Sequence, residues 1–416
     1  MNALREIDWF TVLIWAALSS IGLVAIYSAT QGPVSQFLPE YIQNNFSRQL
    51  LWVSISLGGI AALQFVPPRT FQGLSWILYA FSLFLMILTV FFGTEVSGSR
   101  SWLRVGPLNL QTAEIMKLST ILAAANYLTH SRNTSASDLR TTLTTILIFL
   151  LPITLLLFQS ELGVSVIFIA LLPFMLFWAG LPHGITLFVI SPVLVGYLSV
   201  IGMPWGIGGA VVLTLLLFLI HRKPFLPIAA LAIGIVTVVS TDILLHQLLQ
   251  PHQAARIEAF VNPDLDPQGS GWNILQATTA IGSGGLTGKG FMEGTQTQLR
   301  FLPEQWTDFI FCVIGEEFGF LGASITITLF LLLFIRLLQL SLQHKYPFAQ
   351  LVMVSTASVF FIHFLINIAS ATAVMPVIGL PLPFVSYGGS SFLINSMLLG
   401  ICLNLDLYKR SFSIYR

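Results

Sequence analysis

Apolar positions in this chain come in long unbroken runs with short polar connections, a pattern in which neither a two-residue strand alternation nor a one-sided helix stripe dominates. A helix needs roughly 20 consecutive apolar residues to cross the hydrocarbon core of a bilayer. Runs of that kind fall at about 9–29, 48–66, 72–92, 112–130, 140–158, 162–180, 184–202, 207–221, 226–246, 309–334, 348–370 and 385–406. They predict an all-α polytopic integral membrane protein with about 10–12 transmembrane helices, built as a single membrane domain over residues 1–416. The first run follows the charged stretch MNALREID, is too long for a signal-peptide core and lacks an A-x-A-like site, so it is expected to be a retained span.

Two connections are too long to be turns: residues 93–111, and residues 247–308 before the third-last helix. Loops of this length are usually functional or disordered. The second is rich in Trp, Phe, Leu and Ile, which predicts an ordered outer platform. With a cytoplasmic N-terminus, Arg5, Arg69, Arg132, Arg140, Arg222, Lys223, Arg336, Lys345, Lys409, Arg410 and Arg416 all fall inside, as the positive-inside rule asks. Most of the seventeen acidic residues then lie outside or within spans.

Composition agrees with lipid as the solvent: 55% of residues are hydrophobic and 8% charged, against about 25% charged in soluble domains. A net charge of +1 without a basic cluster excludes a nucleic-acid partner. Cys312 and Cys402 both sit in apolar runs and read as small buried hydrophobes. No period marks inverted repeats, which weakens a transporter reading.

The candidate chemistry is acidic. PEQWTDFIFCVIGEEFGFLG, residues 303–322, gathers Glu304, Asp308, Glu316 and Glu317 at the start of an apolar run. Pro303 suits a first helical position, and helical spacing would stack Glu304, Asp308 and Glu316 near one stripe. A carboxylate at the membrane threshold loses solvation and feels like-charged neighbours, which raises its basicity toward that of a general base. Asp308 is the candidate, against a capping or structural role, while Glu316 and Glu317 lie too deep for a surface substrate. SRSWLRVGPLNLQTAEIMKL, residues 99–118, joins Arg100, Trp102 and Arg104 at the interface to Glu114 and Lys117, three apart on one helix face; the bland reading is an aromatic anchor and an ion pair. GSGGLTGKG, residues 282–290, fails the phosphate-loop pattern and reads as a compact turn whose amides, with Lys289, can meet an anion. His363 reads as a helix–helix hydrogen bonder.

IGSGGLTGKGFMEGTQTQLRFLPEQWTDFIFCVIGEEFGFLG and MPVIGLPLPFVSYGGSSF, with the opening IDWFTVLIWAALSSIGLVAIYSAT, closely resemble the SEDS proteins (shape, elongation, division and sporulation), in details such as GKG, GTQ and LPLPFVSYGGS the RodA branch. The resemblance covers most of the chain and is weakest over 184–246, where three spans stand in place of one expected in a ten-span family. It departs at GSRSW, where Arg100 stands beside Ser101, at QTAE, and at QSELG, where Glu161 replaces an Asp.

The resemblance implies polymerisation of lipid II into peptidoglycan glycan strands during cell elongation, at the outer face of the bacterial cytoplasmic membrane. Asp308 matches the family's invariant acid; the family pattern also points to Trp102, Glu114, Lys117, Arg256, Gln276, Ser386, Tyr387, Gly388 and Gly389. Asp308 would then be the base, Glu304 a neighbour that tunes it, and Arg100, Arg104, Lys117, Arg256 and Lys289 candidate cations for the pyrophosphate, with a divalent cation (Mg or Mn) as an open addition. Implied partners are a class B penicillin-binding protein and membrane proteins of the elongation complex. A flippase of the lipid-linked precursor and a non-catalytic scaffold are the alternatives.

Overall fold

The computed structural model describes residues 7–32, 39–96, 98–106, 108–130, 139–221, 224–245, 249, 251–262 and 270–409. Of the basic residues used for orientation, Arg5, Arg132, Arg222, Lys223, Arg410 and Arg416 lie outside these. Fourteen helices carry the fold: α1 Trp9–Gln31, α2 Asn45–Leu63, α3 Pro68–Phe92, α4 Thr112–His130, α5 Leu139–Phe158, α6 Leu162–Trp178, α7 His183–Ile201, α8 Met203–His221, α9 Phe225–Ile243, α10 Pro251–Val261, α11 Ser270–Ser283, α12 Ile310–Gln343, α13 Pro347–Ala371 and α14 Gly389–Leu407; one-turn helices form at Glu40–Gln43 and Thr295–Gln298. Each of the twelve expected spans coincides with one helix, and α10 and α11 lie in the long connection between α9 and α12. Among the described residues, ten helices are long and apolar enough to cross a membrane. The other two are α6, which has 17 residues, and α4, whose Thr112, Glu114, Lys117, Ser119 and Thr120 are all buried. Polar side chains in a bilayer must be satisfied by neighbouring helices, and α4 packs against α3, α5 and α13.

Of the ten helices long enough to cross a membrane, α13 and α14 are the most enclosed, with apolar windows 83% and 89% buried against 17–44% for the other eight. A single cluster of buried side chains, including Trp15, Phe149, Phe168, Phe330, Phe360 and Phe392, joins α1, α5, α6 and α12 to this pair. Helices α7, α8 and α9 pack on one another around Val195, Ala210, Leu213 and Val238, and of the three only α7 packs closely on the rest, against α6 and α10. The region of weakest resemblance is therefore a three-helix annex. Arg336 closes a bidentate pair with Asp8, Nη2 to Oδ1 at 2.7 Å and Nε to Oδ2 at 3.0 Å, fixing the end of α12 to the start of α1.

The first outer connection holds what the apolar pattern did not predict: a three-stranded antiparallel sheet, β1 Thr94–Val96, β2 Ser99–Val105 and β3 Leu108–Gln111, in the order β1-β2-β3. Trp102 pairs with Gln111 and Arg104 with Asn109. The β1–β2 register shifts between Thr94 and Glu95, which oppose Trp102 and Arg100, leaving Ser101 as an extra residue of β2; Ser101 is fully buried, while beyond it Trp102 and Arg104 alternate onto one face. Glu161, at the Asp-replacing position, accepts from Ser99 Oγ (3.1 Å) and Gln111 Nε2 (3.4 Å), and Gln159 O accepts from Arg100 N at 3.1 Å.

α12 is broken at Gly319, which sits at φ 65° and ψ −159°. Such a break strands the carbonyls of one turn and the amides of the next. The glycine-rich turn satisfies both: Lys289 N and Gly290 N donate to Glu316 O and Glu317 O at 3.0 and 3.1 Å, while Phe320 N and Leu321 N donate to Gly285 O and Leu286 O at 2.9 and 3.1 Å. Glycine is required because the backbones nearly touch: a Cβ on Gly288 would lie 2.0 Å from Glu317 O, and one on Gly319 2.3 Å from Gly288 N.

Candidate active site

Asp308 is not on a helix. Residues 303–309 form turns, Glu304 has a left-handed φ of 49°, and α12 begins at Ile310. The expected single helical stripe through Glu304, Asp308 and Glu316, with Pro303 as a first helical residue, is thus corrected. What links Glu304 and Asp308 is one isolated turn, in which Asp308 N donates to Glu304 O at 3.1 Å.

The turn is held by its carbonyls. Trp306 O accepts from Tyr387 N at 2.8 Å, Thr307 O from Ser386 Oγ at 2.6 Å, and Asp308 O from Asn367 Nδ2 at 3.0 Å. Three consecutive carbonyls are therefore fixed by α13 and by the SYGG turn before α14. That turn is itself seated: Leu382 N donates to Ser386 Oγ at 2.8 Å, and Gly388 N to Gln49 Oε1 at 3.3 Å. Residues 385–388, expected as the first turn of the last span, are the brace instead.

Asp308 lines a cavity of about 70 Å³ together with Arg256, Asn273, Ile274, Pro303, Glu304, Phe309 and Val377. By volume this is a notch for a hydroxyl and a few waters, not for a sugar ring. Arg256, on α10, donates to Val377 O at 3.5 Å. Gly379, at φ 73°, lies between the two charges: a Cβ there would be 3.6 Å from Asp308 Oδ2 and 3.8 Å from Arg256 Nη1. Burial pushes the Asp308 carboxyl up to about 6 and the Glu304 charge adds to the rise, while the Arg256 charge and a Thr307 hydrogen bond oppose it. The net is a carboxylate poised near neutral pH, the range a general base needs. A larger cavity of about 250 Å³ lies between α7, α9 and α10, but it lacks this convergence of acid, cation and fixed backbone.

The other sequence candidates separate into groups. Glu114 and Lys117 form a fully buried pair at 2.7 Å and lie outside the lining of the Asp308 cavity. Lys289 is paired with Glu316 Oε1 at 2.8 Å; the anion met by the glycine-rich turn is this carboxylate, which also accepts from Gln296 N and Thr297 N at 2.8 and 2.9 Å. Glu317 accepts from Ser28 Oγ at 2.5 Å and Gln298 Nε2 at 2.9 Å. Gln276 is buried in α11, and Ser386 is buried under the Asp308 turn. Arg100 is exposed and pairs loosely with Glu95 at 3.5 Å, and Trp102 and Arg104 lie outside the lining of the Asp308 cavity. Among the described residues no group of three or more His, Cys, Asp or Glu is arranged to hold a metal. Sequence reasoning missed Asn273, Asn367, Val377 and Gly379. For Asn367 the legible signal was a second polar residue four positions after His363 on one helix face.

Fold and site together define a polytopic membrane protein with a near-neutral carboxylate beside a cation, built from the connection between α9 and α12 and the one between α13 and α14. The chain belongs to the FtsW/RodA/SpoVE family of cell cycle proteins, whose family model matches residues 8–206 and 206–411. It is 29% identical to the peptidoglycan glycosyltransferase RodA of Treponema pallidum over 98% of this chain and 99% of that one. It is 32% identical to a probable peptidoglycan glycosyltransferase FtsW of Thiomicrospira cyclica, over 98% and 93%. Among solved structures it is similar to a chain of a peptidoglycan synthase complex that coordinates polymerization and crosslinking (27% identity, TM-score 0.72, 97% and 98% covered). It is also similar to the rod shape determining protein RodA of Thermus thermophilus (25%, TM-score 0.64, 97% of each chain).

Proposed function

We propose that this chain is a peptidoglycan glycosyltransferase that polymerises lipid II into glycan strands during cell elongation. The observation that carries the reading is Asp308: a carboxylate raised to about 6, beside Arg256 in one notch, on a turn whose three carbonyls are fixed from outside it. In the reaction the acceptor 4-hydroxyl enters the notch, its oxygen forms a bond to the donor's anomeric carbon, the bond from that carbon to the lipid pyrophosphate oxygen breaks, and Asp308 takes the hydroxyl proton. Holding oxygen and base in one geometry supplies the proximity such a displacement needs. Arg256 offsets the charge of the departing pyrophosphate, and the exposed Arg100 and Arg104 offer a second cationic face for it. A divalent cation (Mg or Mn) arriving with the pyrophosphate would find the Glu304 carboxylate beside the notch, a donor that fits an ion held by one or two carboxylates plus substrate phosphates, and it would neutralise leaving-group charge while Asp308 stays free as the base.

The proposed setting is the bacterial cytoplasmic membrane with the Asp308 notch facing outward, where the basic residues Arg69, Arg140, Arg336, Lys345 and Lys409 lie on the opposite side. A class B penicillin-binding protein is the proposed crosslinking partner, with other elongation-complex membrane proteins. Purified protein incubated with lipid II in detergent, without another polymerase, is expected to yield glycan strands, and Asp308→Ala none. Movement of lipid II across vesicles without polymer would establish a flippase instead, and neither activity a scaffold.

A further inference from the structure

The buried pair on α4 lies outside the lining of the Asp308 cavity, yet it is wired to the Asp308 turn. Lys117 Nζ lies 2.7 Å from Glu114 Oε2 and 3.3 Å from His363 Nε2. His363 Nδ1 lies 3.1 Å from Pro381 O. A carbonyl oxygen can only accept, so Nδ1 carries the proton and the Nε2 lone pair receives the Lys117 ammonium. One turn further along α13, on the same face, Asn367 Nδ2 donates to Leu380 O at 2.9 Å and to Asp308 O at 3.0 Å. The amide cannot be reversed, because Oδ1 would then face two carbonyl oxygens. It holds this orientation although its own Oδ1 is buried without a hydrogen-bond partner. Both helix residues are buried, and both grip adjacent carbonyls, 380 and 381, of the segment that also contains Gly379, the spacer between Asp308 and Arg256.

We propose that His363 and Asn367 are positioning residues for the transfer reaction: together they lock residues 379–381 onto α13, and Asn367 ties that segment to the backbone of Asp308, so that base and cation keep a fixed separation. The Glu114–Lys117 pair serves this lock by fixing the His363 tautomer. The proposal rests on Asp308 being the base.

The test uses full-length protein polymerising lipid II, with kcat and KM separated. Misplacing a reacting group by about 1 Å can cost on the order of 100-fold, so Asn367→Ala is expected to lower kcat about 10- to 100-fold while KM for lipid II stays within about threefold of wild type. His363→Asn places an amide donor where Nδ1 stood and keeps the Pro381 bond, whereas His363→Gln places its amide near Nε2 and loses it. His363→Asn is therefore expected to retain most of kcat and His363→Gln to lose it. Wild-type kcat in Asn367→Ala, a loss confined to KM, or equal kcat in the two His363 variants would overturn the proposal. Should Asn367→Ala not fold, the two His363 variants, close in volume, decide alone. Asp308→Ala measured alongside distinguishes the failures: an active Asp308→Ala removes the base, whereas an inactive one with fully active His363 and Asn367 variants removes only the lock.

Discussion

Asn367 Nδ2, near the C-terminal end of the buried helix α13, donates to the backbone carbonyl of Asp308 at 3.0 Å, although the two residues are 59 positions apart. The candidate base thus takes its position less from its own loop than from the inner helix of the bundle and from the turn that follows it. A loop on a surface moves; one whose carbonyls at 306, 307 and 308 are each bonded to a buried element does not move independently of the core.

The Asp308 carboxyl sits at about 6, raised first by burial and then by Glu304, and lowered by Arg256. A base acts ionised, so polymerisation is expected to be full above that value and to fall as pH drops through about 6. Glu304→Gln removes a raising charge and shifts the acid limb to lower pH; Arg256→Gln removes a lowering charge and shifts it upward. Initial rates across the acid-to-neutral range check both directions.

Gly379→Ala inserts a methyl 3.6 Å from Asp308 Oδ2 and 3.8 Å from Arg256 Nη1, at a φ of 73°. A left-handed non-glycine residue costs roughly 1–2 kcal/mol, a modest loss for a bundle of this size. The methyl also stands in the space a hydroxyl would use. Activity is expected to fall by at least tenfold, or about 1.4 kcal/mol in the barrier, with a drop in melting temperature of only a few degrees.

Lys117 and Glu114 are 1% and 2% exposed. Removing one partner of a buried pair leaves a charge without solvation, typically about 3–5 kcal/mol. Lys117→Met is therefore expected to destabilise strongly, and Lys117→Met/Glu114→Gln to melt above Lys117→Met alone. Thermal unfolding in detergent measures the coupling.

Lys289 is a quarter exposed and Glu316 fully buried. Glu316→Ala strands the ammonium and the amides of Gln296 and Thr297, at a cost of about 3 kcal/mol. Lys289→Met is expected to cost less in melting temperature and to leave KM for lipid II unchanged; a large rise in KM would return Lys289 to the substrate site.

How much of this was legible follows from what each signal encodes. Helix number was readable because bilayer thickness sets span length, and every expected span, including the three of the annex, is a helix. The β1–β3 sheet was not, because its short strands carry charges and lie outside the apolar runs that governed the reading. Asp308 was singled out by its place at a membrane threshold and by the resemblance, but the helical stripe used to relate it to Glu304 was not real, since helical geometry begins two residues later. Glu114 and Lys117 looked like site residues because charge in lipid is costly; the same cost is met here by pairing.

The sequence by itself determined the membrane class, the spans and the place of the two long connections, and singled out the acid proposed as the base, because these depend on local apolar length and on side-chain type. Only the tertiary structure decided which polar groups share an environment. Asn367, Ser386 and Tyr387 meet the carbonyls of residues 306–308 across long separations in the chain, and Gly288 meets Gly319 only because α12 breaks there. Such pairings are set by how helices pack and by the demand that every buried backbone group find a partner, and no local pattern records them.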